Sequence, residues 1–321
     1  MSTKTGTPTP SRISVVIPVF YSENSVATVI DGVRACLDES GWQFEVIAVI
    51  DGSQDHSWRE IAICAESDSR IIAIDLLRNY GQHTALLCGL GYSNGDYVIT
   101  MDDDLQNPPG QILNLISAAS NGADVVFGRY RERRLPWYRN YGSRIVRQLN
   151  IQIFGQPRGL EVSNFRLLDR SVVDRICSSK NRFPYISGQA LLYSKRPENV
   201  DVDHRKRTLG KSNYGMLNIL TLMSRILFSY SLAPLRAVSI IGFAVATLSG
   251  TYGCYQVVKG IVSGTTVDGW LSTITMTSFL GGMIILMLGI IGEYIIRILK
   301  HLMDDRPYFI DHIIDSSEQE R

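Results

Sequence analysis

Residues 97–109 read YVITMDDDLQNPP. A β-branched apolar run ends in three consecutive aspartates and then Pro108-Pro109, the pattern of a buried strand that delivers carboxylates to its carboxyl end before a turn and a helix. Adjacent carboxylates repel, and holding two of them together raises a pKa or destabilises the fold unless a divalent cation neutralises them. Alternate residues of extended backbone share a face, so Asp102 and Asp104 are expected to point at one ion and Asp103 away from it. Oxygen ligands favour Mg2+ or Mn2+, with water and phosphate oxygens completing the shell. The competing reading is a solvated acidic turn.

Working outward, 13–18, 44–50, 70–76 and 123–127 are further strand-like runs. Between them come stretches of helical spacing at 26–37, up to Leu90, and after Pro108-Pro109. Strands this apolar on both faces imply an α/β, Rossmann-like domain with a mainly parallel sheet covered by helices. Ligands bind such sheets beyond the carboxyl ends of the strands. Tyr21, Glu23, Asp51, Ser53, Asn79, Asp102 to Gln106 and Arg129 all fall there. Asp51 could accept a hydrogen bond from a nucleobase edge, although Asp-Gly-Ser is also an ordinary turn.

The 321 residues, 45% of them hydrophobic, allow one large core and a second structural unit. With 32 basic against 31 acidic side chains, overall charge gives no support for nucleic-acid binding. The five cysteines form no CxxC pair and read as reduced thiols facing the cytosol. The histidines show no metal-ligand spacing, and a GxSxG elbow is absent. Residues 1–12 lack an apolar core segment and read as a flexible tail. Two charge-free runs, 237–258 and 269–292, each exceed the roughly 20 residues that cross a bilayer. Arg236, Arg297 and Lys300 flank them on one side, which predicts a transmembrane hairpin (236–300) with both chain ends cytoplasmic. Residues 213–235 read as an interfacial amphipathic helix or a core helix, and 301–321 as a cytoplasmic C-terminal tail. Gly281-Gly282 would permit close helix packing, so a homo-oligomer stays open.

Between Arg129 and Arg147 seven arginines face one glutamate, interleaved with Trp137, Tyr138 and Tyr141. With apolar spans nearby, an anionic leaflet is a more economical partner than nucleic acid. Arg139 and Ser143 share a helical face and, with Arg129, are expected to grip a lipid phosphate.

Taken together, VVIPVF, IDGSQD, RNYGQHTALLCGL, GDYVITMDDDLQNPP, VVFGRYRER and NFRLLDR resemble the family 2 inverting glycosyltransferases of GT-A fold, in particular the polyprenyl-phosphate glycosyltransferases. RNYGQH is most similar to the bactoprenol aminoarabinose branch. The resemblance implies transfer of a sugar from a nucleoside diphosphate, with UDP the expected carrier, to a polyprenyl phosphate such as undecaprenyl phosphate. It also implies that Pro18, Tyr21, Glu23 and Asp51 line the nucleoside pocket, and that Asp102, Asp104 and Gln106 surround the metal and the sugar diphosphate. A processive polysaccharide synthase is a weaker fit, since a QxxRW-like motif is absent. A non-catalytic scaffold or nucleotide-sugar sensor is the rival from another class.

Two departures stand out. Relatives often carry an acid before Phe-Arg-Leu, proposed there as a base, whereas this chain has Asn164. A phosphate monoester, with a second pKa of about 6, arrives largely ionised without a base. Asn164 is then expected to orient the acceptor or a sugar hydroxyl. In the segment 207–213, Asn213 stands where relatives carry lysine. Arg207 keeps its matching place, and Lys211 is expected to approach the diphosphate, with a basic loop on lipid headgroups as the competing reading. The catalytic domain is expected over 13–212.

Overall fold

The computed structural model describes residues 12–130, 137–179, 184–203, 223, 226–227, 229–231, 233–263, 269–302 and 307–316. The chain divides into two compact units, Met1–Gly215 with Asp305–Arg321, and Met216–Asp304.

The first unit is built on one eight-stranded sheet in the order β7-β5-β6-β4-β1-β2-β3-β8. Its strands are β1 (Ile13–Val19), β2 (Phe44–Ile50), β3 (Ile71–Leu76), β4 (Tyr97–Thr100), β5 (Val125–Tyr130), β6 (Arg166–Asp169), β7 (Pro197–Val202) and β8 (Ile310–Asp315). Only β6 and β8 run against the others, so the sheet is mainly parallel as the apolar runs predict. Every residue of β1 and β2 is buried, which is why these runs carry no alternation.

Helix α1 (Val26–Glu39) buries Val26, Val29, Ile30, Val33 and Leu37, one helical face laid on the sheet. Each such aliphatic side chain contributes about 1.5–3 kcal/mol. Helices α2 (Ser57–Ser67), α3 (Gln82–Tyr92) and α4 (Ile112–Ser120) complete the alternation with β1 to β5. Gly89 lets α3 approach the sheet, because a Cβ there would lie 2.4 Å from Val16 Cγ1. Three further helices follow, α5 (Trp137–Phe154), α6 (Arg170–Ser178) and α7 (Ile186–Tyr193). The side chain of Asp169 accepts from Ser171 N and caps α6.

The two inner strands β4 and β1 feed opposite directions of the strand order, so the crevice between their carboxyl ends is a topological switch point. β6 enters antiparallel beside β4, with Thr100 opposite Arg166 and Tyr97 opposite Asp169. It therefore begins where β4 ends, and the two residues before it arrive at the same rim.

Residues 301–321 are not simply a tail: β8 pairs antiparallel with β3 along the sheet edge, Ala73 opposite Ile314 and Ile74 opposite Ile313. Ile314 packs on the core, and Leu77 N donates to Phe309 O at 2.9 Å. An edge strand with unpaired amides gains a partner this way.

In the second unit, α8 (Ala233–Ser263) and α9 (Trp270–Leu302) pack on one another, Gly242 lying against Met287. Within α9, Phe279–Ile296 is long and apolar enough to cross a membrane, with a mean hydropathy of 2.1 and no buried residue. α8 carries a shorter apolar stretch, Ala233–Val245. Most of the expected interfacial helix at 213–235 lies outside the described residues, as does the expected tail at 1–12 apart from Arg12, which bonds to Asp96 and Glu45.

Removing residues 307–321 is expected to lower the melting temperature of the chain by about 5–10 °C, because β3 loses its edge partner. Thermal denaturation of the truncated and full chains checks this, and equal melting temperatures would contradict it.

Candidate active site

The acidic triplet leaves the sheet earlier than its sequence suggests. β4 stops at Thr100, Asp102 follows in irregular backbone, and Asp103 and Asp104 lie in a bend with Leu105 at φ 59. The left-handed region is costly for leucine and marks a constrained turn. Strand alternation is thus not what separates the carboxylates; their partners do that. Asp103 Oδ2 accepts from Phe20 N at 3.1 Å and from Ser22 Oγ at 2.5 Å, bridging the crevice to the loop after β1. Asp102 Oδ1 accepts from Gln82 Nε2 at 2.7 Å and, at a longer 3.5 Å, from Asn164 Nδ2. Asp104 Oδ1 accepts from Gln106 N at 3.2 Å.

Burial, followed by the charges of Asp104 and Asp103, pushes the Asp102 carboxyl up to about 6. Burial also raises Asp103, opposed by the hydrogen bonds from Ser22 and Phe20. Behind them Arg166 is fully buried; its Nε donates to Thr100 Oγ1 at 3.1 Å and one terminal nitrogen donates to Ser187 Oγ at 2.7 Å. Burial lowers this guanidinium to about 10, and the charge of Asp102 acts against that lowering. Arg166, like Gln82, was not singled out by sequence. The signal available for both was position within the quoted segments NFRLLDR and RNYGQHTALLCGL.

The expected nucleoside pocket separates into exposed and structural members. Tyr21 is 55% exposed at φ 54, its ring edge-on to Phe20 with centroids 4.6 Å apart. Pro18 is buried within β1 opposite Val49 and offers no exposed face. Glu23 accepts from His56 N at 3.0 Å and ties the β1 loop to the β2 loop. Asp51 is buried, and its two oxygens accept from Tyr80 N at 2.7 Å and Gly81 N at 2.9 Å. Burial raises its pKa against those two bonds. Its carboxylate thereby holds the loop before α3.

Arg129 lies inside β5, not after it, and its Nε donates to Asp201 Oδ1 at 2.6 Å. Arg139 and Ser143 lie within α5, with side chains outside the described part. Arg207 and Lys211 lie outside the described residues altogether. Asn164 faces Asp102 because the β4–β6 register, continued two residues past Thr100 and Arg166, sets them opposite.

Among the described residues, no group of three or more His, Cys, Asp or Glu side chains is gathered to hold a metal. The donor set that fits one is smaller: Asp102 and Asp104, with Asp103 turned to the β1 loop. Burial raises Asp102 most, and the charges of Asp104 and Asp103 add to it; a hard divalent cation relieves that added crowding, and such ions take their remaining ligands from water and phosphate.

A mainly parallel α/β sheet with carboxylates at its switch point defines a ligand-binding domain of the doubly wound class. The chain belongs to glycosyl transferase family 2, whose model matches residues 14–177. A second model, the GtrB C-terminal hairpin, matches 233–298. Among curated proteins it is similar to the undecaprenyl-phosphate 4-deoxy-4-formamido-L-arabinose transferase of Shewanella sediminis, at 33% identity over 94% of this chain and 92% of the relative. The protein of that name from Proteus mirabilis is 31% identical over 95% and 94%. In fold it is similar to glucosyl-3-phosphoglycerate synthase from Mycobacterium tuberculosis, solved with Mn2+, UDP-glucose and phosphoglyceric acid. The TM-score is 0.52 at 19% identity, covering 70% of this chain and 79% of the other.

The raised Asp102 makes a prediction about the metal-free protein. The fold holds its proton more tightly than the unfolded chain does, so this group's contribution to stability is full below about pH 4 and is lost as pH rises through about 6. Asp102→Asn, measured in EDTA, is expected to raise the melting temperature at about pH 8, by at most roughly 3 kcal/mol of stability, and to change it little at about pH 4. A loss of stability at about pH 8 would contradict this.

Proposed function

We propose that this chain transfers a sugar from a nucleoside diphosphate, UDP being the carrier, to undecaprenyl phosphate or a similar polyprenyl phosphate, with inversion at the anomeric carbon. The observation that carries the reading is the paired Asp102 and Asp104 at the switch point of a family 2 domain, in a chain that also matches the GtrB hairpin. Near full-length similarity to transferases named for undecaprenyl phosphate supports the acceptor, and a fold neighbour solved with Mn2+ and UDP-glucose supports the donor class and the metal.

In this reaction a phosphate oxygen of the acceptor forms the new bond to the anomeric carbon while the bond from that carbon to the nucleotide diphosphate breaks. The electron pair leaves with the nucleoside diphosphate. The acceptor is already ionised, so no side chain need remove a proton. Mg2+ or Mn2+, held by Asp102 and Asp104, would neutralise charge on the leaving diphosphate. Tyr21 and Phe20 offer an aromatic surface at the mouth of the crevice. Asn164, directed at Asp102, belongs with the carboxylates and not with a proton acceptor.

For the lipid side, α8 and α9 form a membrane hairpin, with the catalytic unit and both chain ends on the cytoplasmic face. Arg139 and Ser143, four apart in α5, serve the acceptor phosphate, and Arg207 and Lys211 serve the diphosphate. Arg129, with its Nε on Asp201, would meet a phosphate through its terminal nitrogens.

The test is a screen of radiolabelled nucleotide sugars, UDP-4-deoxy-4-formamido-L-arabinose included, against undecaprenyl and dolichyl phosphates, scored by label extracted with lipid. The wild-type chain is expected to label one acceptor. EDTA or Asp104→Ala should lower that labelling at least about 100-fold. Full labelling in EDTA would remove the metal from the reaction, and no labelling by any pair would support a binding-only role.

A further inference from the structure

Gln82 opens α3 directly after Gly81 and reaches across the carboxyl rim of the sheet to Asp102. Its Nε2 lies 2.7 Å from Asp102 Oδ1, and an ionised carboxylate only accepts, so the amide must present its nitrogen there. Asn164 approaches the same oxygen. Among the described residues Asp102 Oδ2 has no hydrogen-bond donor, so both amides converge on one oxygen and leave the other turned elsewhere.

The loop carrying Gln82 is itself held. Asp51 takes the amides of Tyr80 and Gly81, the two residues before it. Gly52, at φ 64, lies so close to the same loop that a Cβ would sit 2.4 Å from Arg78 C and Asn79 N. The end of β2 therefore fixes the start of α3, and the start of α3 fixes one oxygen of Asp102. Long side chains at a rim cost entropy to order, and this one is ordered onto a carboxylate by a backbone hydrogen-bonded at Tyr80 and Gly81 and approached closely at Arg78 and Asn79.

We propose that Gln82 is a positioning residue for Asp102: by binding Oδ1 it orients the carboxylate so that Oδ2 faces the divalent cation. This rests on the metal reading above. Hydrogen bonds to ligating carboxylates fix their orientation, and losing one costs about 10- to 100-fold in metal affinity. A purely structural role for Gln82, as the first residue of α3, would instead appear in thermal stability.

The experiment titrates Mn2+ into the purified full chain with UDP present and reads free Mn2+ by electron paramagnetic resonance. Gln82→Met keeps the length of the side chain and removes its amide, and Gln82→Ala is the second variant should Met perturb the helix start. Both are expected to weaken Mn2+ binding about 10-fold or more, while melting in EDTA stays at the wild-type temperature. Unchanged Mn2+ affinity in both, or a loss of affinity that merely follows a lowered melting temperature, would overturn the role of Gln82. Asp104→Ala separates the two claims. If it abolishes Mn2+ binding while the Gln82 variants bind normally, only the positioning role fails; if it binds Mn2+ like the wild type, the metal reading itself fails.

Discussion

Three consecutive carboxylates at the end of a central strand cannot share one environment, and the first unit is organised around keeping them apart. Asp103 is drawn to the loop after β1 by Phe20 and Ser22, Asp102 to Gln82 and Asn164, and Asp104 to the amide of Gln106. Each partner arrives from a different element, so the site exists only when β1, α3, β6 and the bend after β4 are all in place. The buried Arg166 beneath Thr100 adds a positive charge on the protein side of the cluster. Burial raises Asp102, and the charges of Asp104 and Asp103 raise it further, as expected of a site shaped for a ligand and not for stability.

The sheet's interior was legible in sequence because β1 to β5 are continuous apolar runs separated by helical spacing, and burial on both faces leaves no other arrangement for them. The remaining strands carry weaker signals. β6 is only four residues long, β7 reads PENVDV with charged and polar positions, and β8 follows a helix of 33 residues. Whether such segments pair depends on the edges offered to them, which is a property of the assembled sheet.

The site was legible at the level of which residues gather and less so at the level of what they bind. Asp102 and Asp104 stand at the switch point as the strand-end argument requires, but they leave the strand before alternation can act on them. Asp51 and Arg129 have charges that suggest ligands, yet each meets a partner far away in sequence, at Tyr80 and Gly81 or at Asp201. For Gln82 and Arg166 the converse holds: their placement comes from the clamped loop before α3 and the antiparallel entry of β6, which position within RNYGQHTALLCGL and NFRLLDR only hints at.

In the proposed reaction the acceptor brings its own charge, so the protein's work is alignment and the neutralisation of a leaving diphosphate. Asn164 fits that division of labour, since an amide supports a neighbouring carboxylate where a second acid would repel it. What distinguishes this chemistry from other ways of joining a nucleotide sugar to a lipid phosphate is the bond that breaks. The most direct measurement is therefore phosphorus magnetic resonance and mass determination of the lipid product together with the released nucleotide. The account predicts a single phosphorus linking sugar to lipid, with nucleoside diphosphate released. A lipid carrying two phosphorus atoms, with nucleoside monophosphate released, would contradict it.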